Sequence, residues 1–141
     1  MINFKVILNV LGILLLALSA LMLFPFIADI IKNNNTWMAF LISIGVTVSS
    51  GVTLILSTRD EVNKKLIMQD AFLLTTLSWI FICLFGSLPF YISDINFSLT
   101  DSIFESMSGV TTTGSTIIQD VESMPHGILI WRALLQWLGG V

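Results

Sequence analysis

Between Ser108 and Thr116 the chain reads Ser-Gly-Val-Thr-Thr-Thr-Gly-Ser-Thr, a run whose side chains offer little beyond hydroxyls. Its possible chemistry lies in the main chain. Each residue brings one carbonyl oxygen, and a glycine admits backbone conformations that β-branched neighbours avoid. A column of such oxygens can replace the hydration shell of a cation. Thr111–Gly114 would equally suit a solvated turn between two helices, so the run by itself leaves both readings open.

Other reactive groups are sparse. One histidine, His126, and one cysteine, Cys83, are present, which rules out an internal disulfide and a thiolate metal cluster. Cys83 lies in an apolar run and reads as a small buried residue; His126, beside Pro125, reads as an interfacial residue at a helix start. No Ser/His/Asp or Cys/His grouping converges, which argues against an enzyme. Six Lys and Arg with a net charge of −3 give no nucleic-acid footprint. Asp94, Asp101, Glu105, Asp120 and Glu122 cluster where no basic residue stands between Lys65 and Arg132, a field that could gather cations.

Placing a main-chain site needs elements to hold it, and these point to a membrane. Of 141 residues, 55% are apolar and 11% charged, against about 25% charged in soluble domains, and mean hydropathy is +0.94. Residues 6–28, 33–58 and 71–93 carry no charge, and a bilayer core about 30 Å thick needs roughly 20 helical residues. The expectation is an all-α polytopic membrane protein with leading spans at about 6–30 and 37–56 (region 1–57), a loop over 58–69, and a third span at about 70–92. Arg59, Lys64 and Lys65 in that loop, against Lys32 alone between the first two spans, place 58–69 and the N-terminus with Lys5 in the cytoplasm. Pro25 and Pro89 should bend or end their helices, Thr36 should cap the second span, and Tyr91 should lie at the interface. The Ser43, Gly45, Thr47, Ser49, Ser50 and Gly51 series suits close helix packing.

From Asp94 onward the pattern changes. Ser98 and Asp101 form a capping-box-like start, and Ile103, Phe104, Met107 and Val110 share one face, giving a helix over 99–109 of roughly 15 Å. That is half a bilayer. The Thr/Gly segment 111–116 follows, and an apolar helix begins at about 127 and runs to 141, with Trp131 and Trp137 as interface aromatics and Arg132 snorkelling outward. This last span is only begun, so the chain reads as a fragment of a longer protein. Extended backbone at membrane depth is tolerated only where protein or a water-filled pathway shields it. The short helix would enter from outside with its carbonyl end, roughly half a negative charge, aimed inward. Thr112-Thr113-Gly114-Ser115-Thr116 then aligns at its central glycine on TVGYG, the strand whose carbonyls coordinate the ion in potassium channels. Glu105 lies opposite the apolar face: either it accepts hydrogen bonds from the strand's amides, or it is a charge reaching an outer vestibule. Within low dielectric it needs a partner.

Several pieces occur in a fixed order: Leu88-Pro89-Phe90; Thr100-Asp101 with Phe104-Glu105-Ser106 and Ser108-Gly109; Thr111 to Gly114; Met124-Pro125-His126; and Trp131-Arg132 with Leu135-Gln136-Trp137-Leu138-Gly139-Gly140. Together they resemble the first pore unit of Trk/Ktr-type bacterial potassium uptake permeases, in the branch with two extra N-terminal helices. The resemblance implies a potassium-channel-like helix–pore-loop–helix unit over 70–141, the first of four around a central filter. It also implies uptake of K⁺ across the cell inner membrane, a homodimer, a cytoplasmic nucleotide-binding regulatory subunit and no organic cofactor. The carbonyls of Thr112, Thr113 and Gly114 would face the ion, with Thr111 a weaker candidate at the inner end. A reading from a different class is a small membrane scaffold that binds a partner through its Ser/Gly-rich second helix and exposes 95–127 as an external loop.

Overall fold

The computed structural model describes residues 3–58 and 67–141. Arg59, Lys64 and Lys65, on which the orientation expectation rests, lie outside the described residues. Among these, the helices are α1 (Phe4–Leu21), α2 (Leu23–Ile31), α3 (Trp37–Thr58), α4 (Met68–Gly86), α5 (Leu88–Ile92), α6 (Leu99–Val110) and α7 (His126–Gly140), with no β-strand.

α1 with α2, α3, and α4 with α5 make three segments long and apolar enough to cross a bilayer: Phe4–Ile31, Trp37–Thr58 and Met68–Ile92. Both composite segments break just upstream of a proline. Pro25 has no N–H for the Leu21 carbonyl, and the helix is interrupted at Met22; Pro89 likewise has none for Phe85, and the break falls at Ser87.

Glycine sets the spacing of α1 against α3. A Cβ on Gly12 would stand 2.8 Å from the Gly51 carbonyl oxygen, and one on Gly51 would stand 2.9 Å from that of Gly12. Ser43 and Thr47 are buried and return their hydroxyls to the Ala39 and Ser43 carbonyls, whereas Gly45 and Ser49 face outward. Only part of the small-residue series therefore packs helices together. Near the other end of this pair the Asn9 amide donates to the Thr58 hydroxyl at 3.1 Å.

The leading helices and the later ones share one core, in which Leu18, Met22 and Phe40 meet Phe90, Val110, Ile128, Trp131 and Leu135. Trp131 is the main departure from expectation here. It is fully buried, its indole N–H donates to the Gly86 carbonyl at 2.9 Å, and its ring meets Phe40 edge-on. A buried indole N–H requires such a partner, and the unpaired carbonyl at the end of α4 supplies it. Trp137, by contrast, is exposed.

Two carboxylates fasten the helices at opposite ends. Asp70 in the first turn of α4 accepts from the Ile67 and Asn3 amides, both at 3.0 Å, tying the start of α1 to the start of α4. Asp29 on α2 does the same for α7, and it draws in Thr36, whose hydroxyl turns to Asp29 at 2.5 Å instead of capping α3.

Candidate functional site

The site is built around α6. Its N-terminus forms as the sequence implies: the Asp101 amide donates to Ser98 Oγ at 3.1 Å, and the Ser98 amide to Asp101 Oδ2 at 3.0 Å. The Ser98 hydroxyl, and then its N–H, hold the Asp101 carboxyl below the ordinary aspartate range. The carboxylate's contribution to the cap is fully present above that range and is lost as pH falls through the lowered value.

The face α6 buries is mostly polar, and of the apolar series Val110 alone is fully inside. Ser102, Glu105, Ser106, Ser108, Gly109 and Val110 are buried, while Phe104 and Met107 are 45% and 39% exposed. The buried side is the one on which the polar groups find protein partners, as buried polar groups must. Ser106 donates to the Cys83 carbonyl at 2.8 Å, and Cys83 itself is buried against α6. Gly86 and Gly109 keep both sides close: a Cβ on Gly86 would reach Ser106 Oγ at 2.7 Å, and one on Gly109 would reach Leu135 at 3.0 Å. α6 is thus wedged between α4 and α7.

At its C-terminus α6 ends in a tight reversal. The Thr112 N–H donates to the Gly109 carbonyl at 2.9 Å and the Thr113 N–H to that of Ser108 at 3.0 Å, the paired bonds of a Schellman ending. The left-handed residue of that motif is usually glycine; here it is Thr112, with φ 58°. A β-branched residue in this region costs roughly 1–2 kcal/mol and persists only where its surroundings over-determine it. Gly114, with φ 76°, takes a second left-handed step.

The surroundings that fix this conformation lie behind the run. Ser108 Oγ donates to the Ser115 carbonyl at 2.6 Å. Glu105, fully buried, accepts at Oε1 from the Thr116 hydroxyl at 2.5 Å and the Ile117 N–H at 2.8 Å. Its other oxygen, Oε2, lies 2.7 Å from Arg132 Nε on α7. Of the two readings open for Glu105, the one that holds the returning segment matches these contacts. Arg132 does not snorkel outward; the buried carboxylate offers its side chain a closer counter-ion than the interface does.

Thr111 to Ile117 all remain exposed on the opposite side. Among the described residues none donates a hydrogen bond to the carbonyl oxygens of Thr112, Thr113 or Gly114. Nor do three His, Cys, Asp or Glu side chains gather among them where they could hold a metal ion. Asp94, Asp120 and Glu122 are exposed, so the acidic cluster is partly a surface feature, with Glu105 set apart inside it.

α7 passes directly over the end of α6. A Cβ on Gly139 would overlap the Val110 carbonyl. Gly139→Ala is therefore expected to force α7 off α6 and to destabilise the full-length protein by about 1–3 kcal/mol, read as a lower thermal unfolding temperature in detergent; an unchanged temperature would show that the contact is slack.

Sequence reasoning singled out Thr112, Thr113 and Gly114, which the fold brings to one exposed run, and missed Ser108, Gly139 and Asp29. Asp29 carried a signal: an acid at the end of an apolar span needs a partner.

The protein family described as TrkH, cation transport protein, matches residues 32–141. The Trk system potassium uptake protein TrkH of Halomonas elongata is 39% identical over 140 residues, which are 99% of this chain and 29% of that protein. Its namesake from Escherichia coli is 35% identical over the same shares. The crystal structure of the potassium transporter TrkH from Vibrio parahaemolyticus superposes with a TM-score of 0.93 at 35% identity, covering 99% of this chain and 30% of that one. The chain thus spans less than a third of the length of these relatives, which are transporters and not enzymes. With its three apolar helices it is a multi-pass membrane protein, and it belongs to the TrkH family of cation transport proteins.

Proposed function

We propose that this chain supplies the leading helix pair and the first pore unit of a potassium uptake permease, with the carbonyls of Thr112, Thr113 and Gly114 as one quarter of its selectivity filter. One observation carries the reading. An exposed Thr/Gly run leaves the carbonyl end of a short helix and is held from behind by a buried Glu105 that is itself paired to Arg132. A loop with no task beyond joining α6 to α7 would not need a left-handed threonine and a buried ion pair to fix its shape.

In this reading α6 is the pore helix. Its carbonyl end and the unpaired oxygens beyond it create negative potential where a dehydrating K⁺ would sit. The ion is cargo, and no organic cofactor is needed. Inward movement is driven by the membrane potential, worth about 2.3 kcal/mol per charge per 100 mV. The permease would contain three further pore units, assemble as a homodimer in the cell inner membrane with its N-terminus in the cytoplasm, and engage a cytoplasmic nucleotide-binding regulatory subunit. The names of the relatives, which are potassium uptake proteins, support the choice of ion.

Cysteine accessibility tests the placement in the full-length permease. In a Cys83→Ala background, single cysteines at Asn96 and Glu122 should react with a membrane-impermeant maleimide, while cysteines at 112, 113 and 114 should be shielded by the other units. All five positions are exposed in this segment alone, so equal labelling would mark an external loop and end the filter assignment.

A further inference from the structure

We infer that Asp29 is a positioning residue for the filter, through which the leading helices set the placement of α7. The inference rests on the reading just given. Asp29 is fully buried at the outer end of α2, and three donors converge on its carboxylate: the Gly127 N–H at 2.7 Å, the Thr36 hydroxyl at 2.5 Å and the Asn34 amide at 3.2 Å. Gly127 lies 98 residues away in sequence, in the first turn of α7, where backbone N–H groups have no partner within the helix. The approach is so close that a Cβ on Gly127 would overlap the Asp29 carboxyl group. Position 127 is therefore fixed from the α2 side, by attraction through the N–H and by steric contact at the Cα.

What α7 carries makes this more than a helix cap. Five residues on from Gly127, Arg132 projects from α7 to Glu105, and Glu105 in turn holds Thr116 and Ile117 at the far end of the Thr/Gly run. A displacement of the start of α7 moves Arg132 with it, because a helix transmits translation along its axis. The path from Asp29 to the run is thus Gly127, α7, Arg132, Glu105, and each link is a hydrogen bond or a continuous helix. The leading pair, which contributes no residue to the run itself, acquires a role: it holds the helix from which the run is braced.

The test uses the full-length permease in cells lacking other potassium uptake, with K⁺ uptake measured over a concentration series and in competition with Na⁺. Asp29→Ala should raise the KM for K⁺ by about threefold to tenfold, the size expected on removing one ordinary hydrogen bond, since the loss reaches the run only through α7, and should weaken discrimination against Na⁺ while the amount of protein in the membrane stays the same. Asp29→Asn is isosteric; it can present its oxygen to the Gly127 N–H and its amide to the Thr36 oxygen, and should restore both values. Unchanged KM and discrimination in Asp29→Ala would overturn the inference, as would a loss of Vmax alone, which a purely structural role predicts. If Asp29→Ala is not recovered from the membrane, Thr36→Val decides: it removes one donor, and a smaller shift in the same direction supports the inference while none overturns it. Absence of K⁺ uptake in the unaltered permease would instead defeat the transport reading, so the two failures are distinguishable.

Discussion

Glu105→Gln should lower both the stability and the cation discrimination of the permease, and the two losses should separate in a second variant. Glutamine keeps one oxygen for the Ile117 N–H and the Thr116 hydroxyl, which now approach Oε1 at 2.8 Å and 2.5 Å. Its amide nitrogen then faces Arg132 Nε, which sits 2.7 Å from the native Oε2, and a donor meets a donor. Removing one partner of a buried ion pair costs about 3–5 kcal/mol, because the other charge is left uncompensated; Arg132 retains some exposure, so the lower end applies. The expected reading is a clear fall in unfolding temperature in detergent, accompanied by weaker selection of K⁺ over Na⁺. Replacing both partners by leucine separates the effects. An apolar pair recovers much of the stability, yet nothing then holds Thr116 and Ile117, so discrimination should stay low. Retention of native selectivity in the double variant would show that the pair stabilises the helices and has no hold on the run.

The parts of this architecture that were readable in the amino-acid order are those governed by local physics. The apolar runs announce helices that cross a bilayer, the Ser98–Asp101 pair announces the start of α6, and prolines at 25 and 89 announce the breaks that fall at Met22 and Ser87. The shared face of Ile103, Phe104, Met107 and Val110 marks α6 as a helix without saying which side packs: Phe104 and Met107 are exposed, while Ser102, Glu105 and Ser106 are buried, where Glu105 and Ser106 find partners on neighbouring segments. The long-range pairs were beyond local reasoning for a different reason: the separations from Glu105 to Arg132 and from Asp29 to Gly127 fix no contact until the helices are placed. Arg132 was nonetheless the nearest basic residue to an acid that needed one, and Trp131 carried a polar tip that burial would have to satisfy. Both were assigned to the interface because an apolar segment with aromatics near its ends resembles a membrane boundary. The Gly86 carbonyl, which takes the indole N–H, and the Phe40 ring hold Trp131 inside instead.

Gly114→Ala should affect selectivity far more than stability, which makes it the sharper probe of the main chain. Gly114 has φ 76°, and a Cβ built there would meet nothing closer than Gln136 Nε2 at 3.7 Å. Space is available; the obstacle is conformational. Holding alanine in the left-handed region costs roughly 1–2 kcal/mol, and the chain can lower that cost by letting φ relax, since the run is exposed and its carbonyls are unpaired within the segment. Relaxation rotates the peptide planes on either side of residue 114 and with them the oxygens of Thr113 and Gly114. If those oxygens coordinate the ion, a preference for K⁺ over Na⁺ must fall, by about tenfold for each 1.4 kcal/mol of lost differential binding. The folded protein should survive, with an unfolding temperature close to that of the parent. Thr113→Ser is the internal control: it keeps the backbone atoms and the hydroxyl that meets Thr111 Oγ1 at 2.8 Å, and should leave transport near the parent level. Competition between Rb⁺ and Na⁺ for uptake in whole cells measures all of this at once. A glycine replacement that leaves the Rb⁺ to Na⁺ ratio unaltered would mean that the main chain at 114 is not in contact with the ion. The left-handed turn would then serve only to carry the chain from α6 to α7, and the braces from Glu105 and Ser108 would need another explanation.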